Sequence, residues 1–182
     1  MKKGSLRRLT MAALCGAVAF VLMFFSFSVP VLSPFAEFDF SALPELIGGF
    51  ILGPVGAIEI IVVKIGLKLL FKGSSSLLTG EAMNLILSLA YVLPALFYYR
   101  KHRTKKGAII GLALGTVISV IVSIFTNIYV IFPIYIKLYG MNWEGILEMC
   151  SAVNPWITSI PTMVAFSIVP FNLISRVVTS LI

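Results

Sequence analysis

Acidic side chains are scarce in this 182-residue sequence: 7 Asp and Glu, against 14 Lys and Arg. Charged residues of both signs make up only 12% of the chain, about half the share an ordinary soluble domain carries. So few charges cannot cover a surface that faces water, which excludes a soluble globular fold. Only two cysteines occur, Cys15 and Cys150, far apart and without metal-ligand spacing. They provide no disulfide framework. A single histidine, His102, cannot furnish a metal cluster. Signatures of zinc peptidases, phosphate-binding loops and serine hydrolases are all missing, so the sequence reads as a protein that is not an enzyme and needs no cofactor or metal.

What is present is apolar. Hydrophobic residues make up 59% of the chain, and the mean hydropathy is +1.06. Lipid is therefore the solvent for most of the surface, and the expected fold is an all-α polytopic protein of the cytoplasmic (inner) membrane. The formal charge of +7 does not point to nucleic acid, because the cations are clustered. Lys2, Lys3, Arg7 and Arg8 open the chain, and Arg100, Lys101, Arg103, Lys105 and Lys106 form one short run. Both clusters flank apolar segments, which is a topology signal.

Six helices are expected, at about 9–29, 44–52, 55–71, 79–99, 107–132 and 166–182, in one membrane domain. The first run is long enough to span and no small-residue cleavage site closes it, so it reads as a retained helix. Gly53-Pro54 splits the second apolar stretch, because proline removes a backbone donor and restricts the residue before it. Four passes from a cytoplasmic N-terminus bring the basic loop 100–106 back to the cytoplasm, so the two clusters agree on topology. External loops are expected at 30–43, rich in proline and phenylalanine, and at 133–165, where Trp143 and Trp156 suit short helices at the interface. The last helix is still apolar at Ile182, so the chain is expected to continue.

Ionisable groups inside lipid are costly and therefore informative. Lys64 and Lys68 share a helix face, whereas Glu59 lies about 140° from Lys64, a poor partner. Glu81, at the start of the fourth helix, is the expected partner of Lys68, with Asn84 one turn below it. Asn127, Asn172 and Arg176 place further polar groups towards the outer half. Amides both donate and accept, which suits a small neutral heterocycle. Taken singly, each asparagine also fits interhelical hydrogen bonding. In the first helix Ala13/Ala17, Ala12/Gly16 and Cys15/Ala19 form small-residue pairs where another helix can approach closely.

Short pieces in matching order carry a family resemblance: Ala-Phe-Val-Leu (19–22), Phe-Asp-Phe-Ser (38–41), Gly-Pro-Val (53–55), Val63-Lys64, the basic loop and Val-Pro-Phe-Asn (169–172). The chain resembles the substrate-binding S components of energy-coupling factor (ECF) vitamin transporters, in particular the riboflavin-type branch. The resemblance implies a six-helix protein that binds a vitamin from outside, docks on a transmembrane T component through Ala13 and Ala17, and works with two cytoplasmic ATPase subunits. It also implies release of ligand by toppling of the loaded subunit, with Phe38 and Phe40 as candidate gate residues. Three departures bear on the ligand, one of them a longer external stretch before the last helix. Ser175 stands where riboflavin-type relatives carry lysine, with Arg176 beside it, and Ile65 and Lys68 stand where amides are common. On these grounds hydroxymethylpyrimidine or pyridoxine is slightly favoured over riboflavin. A stand-alone secondary carrier is the alternative class, but no inverted repeat is visible.

Overall fold

A computed structural model describes residues 3–29, 37–74, 78–140 and 142–182. The expected loop at 30–43 therefore falls partly outside the described residues. Helix α1 spans Lys3–Phe24, α2 Ala42–Lys72, α3 Thr79–Lys101, α4 Lys105–Thr126, α5 Phe132–Tyr139, α6 Trp143–Val153, α7 Ile160–Met163 and α8 Val169–Leu181. Two-residue strands, β1 (Phe27–Ser28) and β2 (Glu37–Phe38), pair antiparallel. By length and apolarity α1, α2, α3, the α4–α5 rod and the α7–α8 rod can each cross a membrane.

Helix α2 is folded back on itself. Gly53 has φ +79° and ψ −179°, outside helical space, and Pro54 follows. Glu45 and Lys64 would be about 28 Å apart on a straight helix, yet they form an ion pair. A Cβ on Gly49 would sit 3.1 Å from the Ala57 Cβ. Residues 42–52 and 54–72 are thus two antiparallel arms, which with α1, α3, the α4–α5 rod and the α7–α8 rod make six membrane-embedded helical segments among the described residues. Glycine is required at the turn because a positive φ is strained for any residue with a Cβ.

The short arm decides the architecture. Residues 42–52 rise only about 16 Å, half a hydrocarbon thickness. Its apolar face packs with α3 in a core of Ala42, Leu46, Ala57, Tyr91, Val92, Ala95 and Leu96. The Gly53 turn lies beside Arg8, Arg100 and Arg103, so the arm fills the basic half of the bundle and stops midway. A second core joins α5, α6 and α7 at the opposite end, through Phe132, Ile146, Cys150, Ile157 and Met163. Burial there raises the Cys150 thiol above its ordinary pKa.

Helix α4 meets α3 along a seam of small residues: Gly107, Gly111, Gly115, Ser119 and Ser123, all buried and four apart. A methyl on Gly111 would lie 2.7 Å from the Ala95 carbonyl oxygen, and one on Gly115 would land on that of Tyr91. The absent side chains let the two backbones touch.

Three expected boundaries move. Helix α1 ends at Phe24 rather than near Val29, and the chain enters β1. The fifth helix does not stop near 132. It passes through a π turn at Asn127–Ile131 and continues to Tyr139. The last helix begins at Ile160 rather than 166, with a π turn at Val164–Ile168, so much of the expected loop 133–165 is helical. In both rods the π turn directly precedes a proline, Pro133 or Pro170, within the first turn of the following helix. Phe132 N–H bonds to the Asn127 carbonyl and Val169 N–H to that of Val164. The wider turn absorbs the missing proline donor, so neither proline ends its helix.

Candidate functional site

Where the short arm stops, a cavity of about 410 Å³ opens between α1, β2, the long arm of α2, α3, the α4–α5 rod and α8. Ser41 and Ala42, at the start of the short arm, and Ser88 of α3 all line it. Beneath them lies a fully buried ion pair between Lys64 and Glu45. The Lys64 ammonium also donates to Asn84 Oδ1 (2.6 Å), Ser41 Oγ (3.1 Å) and Ser88 Oγ (3.3 Å). Ser88 Oγ in turn donates to Glu45 Oε1 at 3.3 Å. A buried charge is tolerable when paired and hydrogen-bonded, and this network meets both conditions for the lysine. Glu45 Oε2 has no donor among the described residues.

One wall comes from the two π-turn rods. Ser123 Oγ, at the end of the small-residue seam, accepts from Asn172 Nδ2 (2.7 Å) and Asn127 Nδ2 (3.2 Å). Each amide also donates to the carbonyl four residues back, Ser123 or Ile168. Their Nδ2 groups are thereby fixed, and both asparagines line the cavity. Neither Oδ1 accepts a bond among the described residues, so two acceptors remain for a solute. Arg176, one turn beyond Asn172, stacks 5.0 Å above the Tyr91 ring. Tyr91 itself is held by Ser180 at 2.7 Å.

The opposite wall is aromatic and charged. Phe20 meets Phe24 edge-on at 4.9 Å, and Lys72 lies 5.5 Å over the Phe24 ring. Lys68 pairs with Glu81 at 2.9 Å, as the spacing predicts, and Ser74 Oγ donates to the same carboxylate at 2.8 Å. Lys68, Lys72, Arg176, Glu37 and Asp39 line the cavity. With Glu81 holding Lys68, the lining charges nearly cancel, which favours a neutral polar guest.

The expected residues sort clearly. Lys68, Asn84, Asn127, Asn172 and Arg176 line the cavity, while Lys64 and Glu81 hold its floor and wall from behind. Phe38 and Phe40 are not brought to it. Glu37, Asp39 and Ser41 take that face instead. On β2 successive side chains point to opposite faces, so Phe38 turns away from the cavity that Glu37 lines. Phe38 is buried against Phe27 at 5.1 Å and Phe40 at 5.2 Å, forming a clasp over β1 and β2. Glu59 avoids Lys64 and pairs with Arg8 at 3.0 Å. Sequence reasoning missed Glu45, although it and Lys64 lie at nearly equal distances from the Gly53–Pro54 turn, which a hairpin brings together. It also missed Ser123, legible as the last member of the small-residue seam.

On α1, Ala12, Gly16 and Ala19 are buried, and a Cβ on Gly16 would lie 2.6 Å from the Val63 side chain. Ala13 faces outward and Ala17 is half-buried. The pairs Ala12/Gly16 and Cys15/Ala19 therefore serve packing within the chain, Cys15 lying against Gly48 of α2, and Ala13/Ala17 is left towards the outside.

Fold and site together define a helical membrane protein with a solute-sized polar cavity in one half of its thickness. The family model described as "ECF transporter, substrate-specific component" matches residues 7–182, and the chain belongs to that family. The riboflavin transporter RibU of Staphylococcus aureus (strain TCH60) is 32% identical over 176 residues, 97% of this chain and 86% of that protein. The riboflavin transporter FmnP of Bacillus subtilis (strain 168) is 28% identical over 177 residues, covering 97% and 87%. A solved structure titled "Structure and mechanism of the S component of a bacterial ECF transporter" superposes with a TM-score of 0.75 at 29% identity, covering 97% of this chain and 90% of that one.

Proposed function

We propose that this chain is the riboflavin-binding S component of an ECF-type importer. The observation that carries the reading is the cavity above the half-length arm, with its two amide acceptors, nearly balanced charge and aromatic wall. A flavin presents a ring edge of alternating donors and acceptors, a flat apolar face for stacking and a neutral polyhydroxyl chain. Amides, rings and hydroxyls complement those three parts. A cavity of about 410 Å³ is more room than a single-ring pyrimidine or pyridine fills. The curated relatives named as riboflavin transporters support the same choice. The sequence-based preference for hydroxymethylpyrimidine or pyridoxine is therefore given up. It rests in part on the change to Ser175, but Ser175 and Arg176 both line the cavity, so a cation is retained one position on.

The positive-inside rule places the end holding Arg8, Arg100 and Arg103 in the cytoplasm, and the cavity then opens outward. The test is a titration of the purified protein with riboflavin, followed by quenching of flavin fluorescence. Saturable binding is expected, with Asn127→Leu and Asn172→Leu each weakening it more than about tenfold, or about 1.4 kcal/mol. Because Asn172 also bonds Ser123, the ligand-free unfolding midpoint is measured alongside. Normal affinity in both variants would refute the pocket. Binding of pyridoxine or hydroxymethylpyrimidine but not riboflavin would return the smaller ligand.

As partners we infer a transmembrane T component and two cytoplasmic ATPase subunits, since the described residues show no fold that could hydrolyse a nucleotide. The outward Ala13/Ala17 pair is the docking face of this reading. Replacing both by Trp should abolish pull-down of the other subunits while riboflavin binding persists. Undiminished pull-down would move the docking face elsewhere.

A further inference from the structure

A second cavity, of about 480 Å³, lies at the basic end around the Gly53–Pro54 turn. Arg8 of α1, Arg100 at the end of α3 and Arg103 in the connection to α4 line it, together with Phe50 and Tyr99, whose rings meet edge-on at 4.8 Å. The charge here is unbalanced. Among the described acids, only Glu59 reaches this end, where it pairs with Arg8 at 3.0 Å. Even so, the Arg8 Nε is buried without a partner among the described residues. Neither Arg100 nor Arg103 has a carboxylate partner among them. The helix ends that meet at the turn are a C-terminus and an N-terminus, so their dipoles oppose and the arginines set the field.

Next to this cavity the outer side of α2 is apolar. Ile47 and Ile51 on the short arm, and Val55, Ile58 and Val62 on the long arm, are all exposed. A ligand that suits both features carries an anionic phosphodiester and hydrocarbon chains. We infer that this cavity binds the headgroup of an anionic phospholipid, with Arg100 and Arg103 on the phosphate and the acyl chains along the α2 stripe. Guanidinium forks match phosphate oxygens, and their attraction to a phosphate is strong at the membrane interface. The site is separate from the solute cavity and does not depend on which solute is bound there. It would fix the position of the hairpin turn against the membrane surface.

The test uses delipidated protein in neutral detergent, with native mass spectrometry to count bound molecules. Short-chain phosphatidylglycerol, short-chain phosphatidylcholine and inorganic phosphate are the probes. One phosphatidylglycerol is expected to be retained at roughly tenfold lower concentration than phosphatidylcholine. R100Q/R103Q should erase that preference. K101Q/K105Q, which removes the same charge outside the cavity, should keep it. If the first pair does not yield monodisperse protein, R103Q alone should weaken the preference severalfold. Equal loss in both pairs, or no headgroup preference in the wild type, would overturn the inference. Displacement of the lipid by inorganic phosphate at matching concentration would also overturn it and assign a free-phosphate site.

Discussion

Replacing Lys64 by methionine should lower the stability of the protein by about 3–5 kcal/mol, because it strands Glu45 as a buried, unpaired carboxylate. Both side chains are fully shielded, so neither charge can be rescued by water. The same substitution removes the donor that Ser41, Asn84 and Ser88 share. Glu45→Leu should cost a similar amount for the mirror-image reason. The double variant E45L/K64M should recover most of the loss, since replacing both members of a buried pair by apolar groups of similar size is often close to neutral. The measurement is a double-mutant cycle on unfolding midpoints in detergent. Additive losses would mean that the two groups do not depend on each other, and the pairing that closes the α2 hairpin would have to be abandoned. The double variant is also expected to bind solute more weakly than wild type, because Asn84 and Ser88 would no longer be oriented beneath the cavity.

The second large effect concerns Gly115. In an open helix position, glycine to alanine stabilises by about 1 kcal/mol through propensity. Gly66 is such a position, where an added methyl group would meet nothing within 4 Å. At Gly115 the sign should reverse, since the new carbon would occupy the place of the Tyr91 carbonyl oxygen. Backbone cannot yield as a flexible side chain can, so α3 and α4 must separate. Overpacking of this kind costs about 1–3 kcal/mol for alanine, and Gly115→Leu should prevent recovery of folded protein. Moving Tyr91 also disturbs its contacts with Arg176 and Ser180, so Gly115→Ala should weaken solute binding from outside the cavity. Thermal unfolding of Gly66→Ala and Gly115→Ala side by side tests the claim. Equal behaviour of the two would show that the helices are not in backbone contact.

Much of the fold was legible because lipid imposes a simple rule on the chain. Runs of apolar residues must be helical to satisfy their own backbone, so the helices and the break at Gly53-Pro54 could be placed from the sequence. The Lys68–Glu81 pair was also readable. Positions of the asparagines pointed to one half of the bundle because 127 and 172 lie at corresponding depths of neighbouring rods. The helix end near Pro133 was misplaced for a local reason. Proline normally stops a helix, and only a π turn before it, chosen by packing around the second core, lets the rod continue. Phe38 and Phe40 do not line the cavity: Phe38 faces away from Glu37 on β2, in the register set by its pairing with Phe27, and Phe40 packs on it from the bend that follows.

By itself the sequence determined that this is a membrane protein of six apolar helices, with charge clusters at one end and polar groups towards the other, because hydropathy and charge are properties of each segment alone. Only the tertiary structure decided that Lys64 belongs to Glu45, that Ser123 joins Asn127 to Asn172, and that the short arm leaves a cavity above it. Those facts depend on which helix faces are brought together. That is fixed by close backbone approach at Gly115 and by the positive φ at Gly53, neither of which a linear pattern of apolar and polar residues can specify.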